Sequence, residues 1–340
     1  MPPDQSPASG DAHTDTLADE IRAGSRRALA RAITLIESTR RDDRTRANAL
    51  LAGLLPATGD AVRIGITGVP GVGKSTFIEA FGLDLIGRGL RVAVLAVDPS
   101  SPRTGGSILG DKTRMEGLAR HPDAFIRPSP SGGTLGGIAR RTGEVMLAVE
   151  AAGFDVVLIE TVGAGQSEFA VADLADMFML LVAPGGGDEL QGIKKGIVEL
   201  ADLVIVTKAD GDLAPAAERA RRDYAAALHM LRPMGDGWTP RVLTTSAMAG
   251  DGFDEVWRAV TEFRDATETS GERERRRALR RGKAMWDDIT ETLVAALQND
   301  ARVAELATVL EADVEAGRMT PTTAAEHLLS AFRATTTDTE

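Results

Sequence analysis

Six short runs rich in valine, isoleucine and leucine, at 62–67, 91–97, 155–160, 177–183, 202–207 and 241–245, recur through the middle of this chain. Segments of helical periodicity separate them. Phe125-Ile126-Arg127 is a shorter seventh candidate. Strands that are apolar at nearly every position are buried on both faces. Helices between them supply the crossovers that parallel pairing needs. The pattern therefore predicts an α/β fold with a mostly parallel central sheet covered by helices. Ligands on such a sheet bind at the carboxyl ends of its strands.

The flanks read differently. Residues 16–55 carry apolar positions at helical spacing (Leu17, Ile21; Leu29, Ile33, Ile36; Leu50, Leu51, Leu54), read as two helices. After about residue 270 no strand signal remains. Trp286, Ile289, Leu293 and Leu297 share one helix face, as do Val303, Leu306, Leu310 and Val314. Thr320-Pro321 opens a last helix bearing Ala325, Leu328, Leu329 and Phe332. Such stripes serve either packing within the chain or dimerisation. The expected organisation is a disordered tail at 1–15, an N-terminal helical extension at 16–56 and a central domain at 57–268. A C-terminal helical extension at 269–335 and a short tail at 336–340 complete it.

Composition narrows the partners. The formal net charge is −11 over 340 residues, and no extended basic face is visible, which argues against nucleic acid. The basic clusters at 40–44 and 273–277 are interleaved with acids and read as solvated helix faces. No apolar run is long enough to span a membrane, and the acidic, Pro- and Ser-rich start lacks a signal-peptide core, so a cytoplasmic location is expected. Cysteine is absent, which excludes disulfides and thiolate metal sites. His13, His121, His229 and His327 are scattered.

Immediately after the first apolar run stands Gly68-Val69-Pro70-Gly71-Val72-Gly73-Lys74-Ser75, which fits the phosphate-loop pattern G-x-x-x-x-G-K-[ST]. Its glycines let the backbone aim N–H groups at phosphate oxygens, at the positive end of the helix that begins with Ser75 and Thr76. Lys74 brings a compact charge to the outer phosphates, and Ser75 a hydroxyl suited to the bridging Mg²⁺. Lys74 is one of six lysines against 33 arginines. Four of the others (Lys112, Lys194, Lys195 and Lys208) fall in segments discussed below, and Lys283 has no assigned role.

The remaining motifs follow in the order expected of a GTPase. The run at 155–160 ends in Glu160-Thr161-Val162-Gly163, where an acid positions Mg²⁺ and a glycine N–H meets the γ-phosphate. The run at 202–207 leads into Thr207-Lys208-Ala209-Asp210, the guanine-reading Asn-Lys-x-Asp with threonine in first place. Asp210 accepts from both the ring N–H and the exocyclic amino group of guanine, and the Lys208 stem lies over the base. Ser246-Ala247 suits the backbone contact to the guanine carbonyl oxygen. Asp98-Pro99-Ser100-Ser101-Pro102, continuing through Gly110-Asp111-Lys112, reads as a loop that orders around phosphate and metal. Residues 184–196, with Lys194 and Lys195, read as a further switch.

These segments together resemble the MeaB family, a branch of the metallochaperone-related P-loop GTPases whose older names are ArgK and LAO/AO transport ATPase. The features that carry the likeness are Glu rather than Asp at 160, Asp98-Pro99-Ser100-Ser101, Gly106 to Met115, Glu160 to Glu168 and Gly185 to Gly192. The resemblance runs over about residues 15–335. It implies a Mg²⁺-dependent GTPase that acts as a chaperone of adenosylcobalamin-dependent methylmalonyl-CoA mutase, gates cofactor loading and protects that enzyme from inactivation. It also implies a homodimer joined through the C-terminal helices. By position, Lys74 and Ser75 hold phosphate and Mg²⁺, and Asp98, Asp111 and Glu160 line the metal and the attacking water. Gly163 senses the γ-phosphate, Lys208 and Asp210 read guanine, and Gly185–Gly196 is a third switch. Thr207 departs from the general GTPase pattern. Three rival readings are a GTPase delivering nickel or zinc, a kinase of periplasmic amino-acid-binding proteins and an assembly scaffold with little turnover. The first lacks the Cys and His clusters it needs, and the second lacks a recognisable catalytic loop.

Overall fold

In a computed structural model of the chain, the described residues are 12–97, 115–128, 135–161, 167–185, 195–230 and 237–337. The sheet has seven strands: β1 (Val62–Gly68), β2 (Val92–Val97), β3 (Ala124–Arg127), β4 (Val156–Thr161), β5 (Met177–Val182), β6 (Leu203–Val206) and β7 (Arg241–Thr244). All neighbours pair in parallel, in the order β3-β2-β4-β1-β5-β6-β7. β1 stands in the middle. The chain runs to one side through β2 and β3, returns at β4, and then crosses to the other side through β5, β6 and β7. The crevice over the carboxyl end of β1 is therefore where this fold places a ligand.

Every residue of β2, β4, β5 and β6 is buried, because helices cover both faces of the sheet. Side chains alternate across β4, so Val157 and Ile159 enter one core while Val156 and Leu158 enter the other. The second face is covered by α4 (Lys74–Gly87), α5 (Glu116–Arg120) and the helix Phe253–Thr269. There Phe77, Phe81 and Phe253 form a ring cluster with centroids 5.6 to 6.0 Å apart.

The first face is thicker. The region read as two helices holds three: α1 (Ala12–Arg22), α2 (Arg26–Glu37) and α3 (Arg41–Leu54). The break between the first two is set by Gly24 at φ +79° and by Ser25, whose side chain accepts the Ala28 N–H at 3.2 Å. Helix α1 also takes in Ala12–Asp15, which the sequence placed in the tail. These helices pack on α6 (Leu135–Ala151) through Leu29, Ile33, Ile36, Leu50 and Leu54, all at or near zero exposure. Burial of each such side chain stabilises the fold by about 1.5–3 kcal/mol. Arg44 adds a two-pronged ion pair to Glu144 at 2.9 Å for both bonds. The remaining helices on this face are α7 (Ser167–Leu174), α8 (Lys195–Leu200) and α9 (Ala214–Met230). The helix Phe253–Thr269 is α10.

Three helices follow: α11 (Glu272–Asn299), α12 (Ala301–Glu315) and α13 (Pro321–Thr337). The chain divides into two compact units, Met1–Arg280 and Arg281–Glu340. Within the second, α12 and α13 pack together with Val303, Leu310 and Ala324 buried.

Of the arginines at 273–277, Arg275 is exposed as a solvated face requires, but the other three are not. Arg273, Arg276 and Arg277 lie on one side of α11 and turn toward the amino ends of the strands. Arg277, 6% exposed, donates through Nε to Asp176 Oδ1 (2.8 Å) and through Nη2 to Asp176 Oδ2 (2.5 Å). It also donates to Gly59 O and Ala61 O, both of which Arg273 bonds as well. Arg276 binds Glu272 at 2.8 Å and lies 3.6 Å from Asp202. Asp176 and Asp202 directly precede β5 and β6, so the seam clamps the amino edge of the sheet. Burial alone would raise the Asp176 carboxyl, but Arg277, aided by the charges of Arg63 and Arg273, outweighs it and holds it low. Burial wins at Asp202, which is pushed up to about 6 against the Phe178 N–H and the charges of Arg276 and Arg280.

Candidate active site

The phosphate loop joins β1 to α4 across the carboxyl edge. Gly68 closes β1 where a Cβ would lie 2.7 Å from Leu181 O and 2.9 Å from Val72, so no larger residue fits. Gly71 and Gly73 have φ of +83° and +96°, and Gly73 is the left-handed N-cap of α4. Val72 is buried at 1% and pins the loop to the core. Lys74, Ser75 and Thr76 form the first turn of α4, so their backbone N–H groups and the helix dipole face the crevice. Lys74 Nζ donates to Thr161 Oγ1 at 3.2 Å and to Gly68 O at 3.4 Å. Thr161 Oγ1 is 3.1 Å from Thr67 Oγ1. The register that sets Ile66 beside Glu160 brings these two hydroxyls together at adjacent strand ends.

Glu160 is 2% exposed at the end of β4, paired in register with Ile66 on one side and Ala96 on the other. Ser75 and Glu160 thus offer oxygen donors flanking the end of β1, the ligand type that Mg²⁺ takes. Asp98, Asp111 and Gly163 lie outside the described residues, as does most of the segment at 184–196 read as a switch.

The segment at 207–210 expected to read the base follows β6. Lys208, at φ +54°, is the non-glycine residue with positive φ among the described residues, a conformation that concentrates at functional sites. Its Nζ donates to Gly71 O at 2.8 Å. The preceding Thr207 is buried, and its hydroxyl donates to Val72 O at 2.7 Å. Asp210 Oδ1 accepts the Ser246 hydroxyl at 2.8 Å, and Ser246 Oγ accepts the Ala249 N–H at 3.0 Å. Ala247 follows Ser246 in the same turn after β7. The structure therefore brings Gly68, Gly71, Val72, Lys74, Lys208, Asp210 and Ser246 to one edge. Thr67 and Thr161 are partners the sequence reading did not assign. Their signal was a threonine at or next to the end of each of two mostly apolar runs.

Comparison with known proteins gives the family. A protein of Caulobacter vibrioides is 56% identical over 318 residues, covering 94% of this chain and 97% of its own. GTPase ArgK of Escherichia coli is 55% identical over 259 residues, covering 75% of this chain and 78% of its own. The mitochondrial methylmalonic aciduria type A homolog of Mus musculus is 46% identical over 329 residues, 94% of this chain and 79% of its own. A solved structure described as a LAO/AO transport system kinase superposes with a TM-score of 0.74 at 38% identity, covering 95% of this chain and 98% of that one. The family model for the methylmalonyl Co-A mutase-associated GTPase MeaB matches residues 29–302. On the sheet order, the loop geometry and these likenesses, the chain belongs to the MeaB family of P-loop GTPases.

Proposed function

We propose that the chain hydrolyses GTP to GDP and phosphate and uses that cycle to chaperone an adenosylcobalamin-dependent methylmalonyl-CoA mutase, gating cofactor loading and protecting the enzyme from inactivation. The observation that carries the guanine reading is the segment Thr207–Asp210, fastened to the phosphate loop through Gly71 O and Val72 O, with the Asp210 carboxylate oriented by Ser246. Guanine offers two adjacent N–H donors to one carboxylate; adenine does not. The family model and the methylmalonic aciduria type A relative support the mutase as partner.

In the reaction, a water oxygen bonds to the γ-phosphorus as the bond from that phosphorus to the β–γ bridging oxygen breaks, GDP leaves with that oxygen, and the proton the water loses ends on the released phosphate or in solvent. Lys74 stabilises charge on the outer phosphates, and the N–H groups of the phosphate loop hold them in line. Mg²⁺, when bound, neutralises phosphate charge; Ser75 and Glu160 are its donors in this reading, with Asp98 and Asp111. Asp98 orients the water and Gly163 meets the γ-phosphate. Large apolar residues on α11 stand exposed in the single chain, Trp286 at 64% and Leu293 at 57%, which supports a homodimer formed through this helix.

The test is GTP turnover with and without methylmalonyl-CoA mutase. Acceleration by the mutase is the expected result. Turnover unaffected by the mutase removes the chaperone reading, and label from γ-phosphate appearing on a protein acceptor replaces it with a kinase.

A further inference from the structure

The sheet carries a second ligand-sized opening, at the edge away from the phosphate loop. A cavity of about 420 Å³ lies at the amino ends of β1 and β4, where Val62 and Val156 line it together with Leu90 and Trp257. β1 is seven residues long, so about 20 Å of strand separates this cavity from the phosphate loop. The volume falls in the range of small-molecule sites, about 300–1,000 Å³. Its rim is already fastened. Glu150 accepts the Gly59 N–H at 2.8 Å, and Arg273 and Arg277 both donate to Gly59 O and Ala61 O. The stretch from Gly59 to Ala61 therefore stands in place before a ligand arrives, which lowers the ordering cost of binding.

Charge decides what this cavity accepts. Four ionisable side chains line it: Asp60, Glu150, Asp155 and Arg264. Glu150 is committed to the Gly59 N–H and to Arg63, at 2.5 and 3.0 Å. Arg264 is paired with Glu268 at 3.0 Å. Asp155 gives Oδ2 to the Arg91 N–H at 2.7 Å, while the Arg91 guanidinium turns to Ala152 O and Gly153 O. Asp60 is exposed and makes no hydrogen bond or ion pair among the described residues. With the committed groups set aside, what remains is the whole Asp60 carboxylate and one oxygen of Asp155, beside the half-buried indole of Trp257. A carboxylate attracts a cation through charge-assisted hydrogen bonds, and an indole face does so through its quadrupole. An anion meets the wrong sign. Among the described residues no group of three acids or histidines is placed to hold a metal ion, which favours an organic cation over a bare one. We propose that this cavity binds a small organic cation, a primary ammonium on an apolar stem, with the ammonium at Asp60 and Asp155 and the stem along Leu90 and Trp257. The site stands apart from the nucleotide crevice and does not depend on how that crevice is read.

The experiment titrates the full-length protein with pentylammonium, pentan-1-ol and pentanoate, three probes with the same stem and a positive, neutral or negative head. Binding is read from the indole N–H resonance of Trp257, one of three tryptophans, assigned by its disappearance in Trp257→Phe. Pentylammonium should shift that resonance saturably, and the other two probes should bind at least about tenfold more weakly, on the scale of one charge-assisted contact. Asp60→Asn should weaken pentylammonium binding by about 5- to 20-fold. Asp60 is exposed and unpaired, so this variant folds like the wild type. Ala57→Phe places a ring in the cavity and leaves every charge intact; it should weaken binding by at least about tenfold. No shift at about 10 mM pentylammonium, where a site of millimolar affinity is mostly filled, overturns the proposal. Equal binding of the three probes overturns it in favour of a merely apolar cavity. Asp60→Asn binding like the wild type removes the carboxylate as the recognising group, and undiminished binding to Ala57→Phe reduces the effect to ion pairing at the surface; either result also overturns it.

Discussion

Replacing Arg277 with methionine tests whether the buried arginine seam holds the amino edge of the sheet. Methionine preserves much of the apolar stem and removes the guanidinium. The wild-type side chain makes two bonds to Asp176 and one each to Gly59 O and Ala61 O. Removing one member of a buried ion pair costs about 3–5 kcal/mol, because the other charge stays buried without its counterpart. Here the loss falls at the low end. Arg273 still reaches Gly59 O and Ala61 O at 3.1 and 3.0 Å, and the Arg63 N–H still donates to Asp176 at 3.3 Å. A cost of about 3 kcal/mol corresponds to a fall in melting temperature of roughly 6–12 °C for a unit of this size. Thermal and urea unfolding of Arg277→Met, Asp176→Asn and the double variant are the measurements. The double variant should lose less than the sum of the singles, with a coupling of at least about 1 kcal/mol. A melting point within about 2 °C of the wild type, or strictly additive losses, refutes the seam. There is a pH signature as well. The Asp176 carboxyl is held below its ordinary value, so its stabilisation is present above the unfolded pKa of about 4 and lost as pH falls through the folded value. Arg277→Met should abolish that acid-side loss.

Asp202 carries the opposite sign. Its folded value of about 6 exceeds the unfolded one, so the folded chain binds the extra proton and stability declines as pH rises from about 4 to 6. Asp202→Asn should flatten that stretch of the stability–pH curve, and an unchanged slope would remove Asp202 as its source. Lys74→Ala should weaken GTP binding by about 100-fold or more, through loss of a charge-assisted contact to the outer phosphates; titration calorimetry measures it, and hydrolysis at the wild-type rate would overturn the site. Trp286→Glu combined with Leu293→Glu should shift a dimer to monomer in sedimentation velocity, and a monomeric wild type would sink the dimer reading.

The strands were legible because burial on both faces leaves an unbroken apolar run, and their observed ends differ from the sequence reading by about one residue. The phosphate loop was legible because its chemistry forces residue types at fixed spacing. Helix count at the N-terminus was not. Gly24-Ser25 is a stop and a cap in succession, but the apolar positions on either side keep one continuous helical rhythm, and periodicity alone reads through the break. The arginine seam was hidden for a different reason. Its partners, Asp176 and Asp202, are 101 and 74 residues before Arg277 and Arg276, and neighbouring acids in the sequence supplied a nearer explanation. A usable signal existed all the same. Two apolar strands open on aspartate, and four arginines, at 273, 276, 277 and 280, recur at the spacing of one helix face.

One of those aspartates also flanks the same strand as Thr207, which lies at the other edge of the sheet. β6 is only four residues long, about 13 Å, and it lies between Asp202 just before its amino end and Thr207 just after its carboxyl end. Asp202 accepts the Phe178 N–H at 2.8 Å and so fixes β6 against β5 at its start. Thr207 then bonds Val182 O, the end of that same β5, before reaching Val72 O. A strand anchored at both ends against one neighbour has no register to slip. The hydroxyl at position 207 meets the phosphate loop from that held strand, at 2.7 Å from Val72 O. With both ends of the strand held, the threonine hydroxyl alone spans the distance between the strand end and Val72 O.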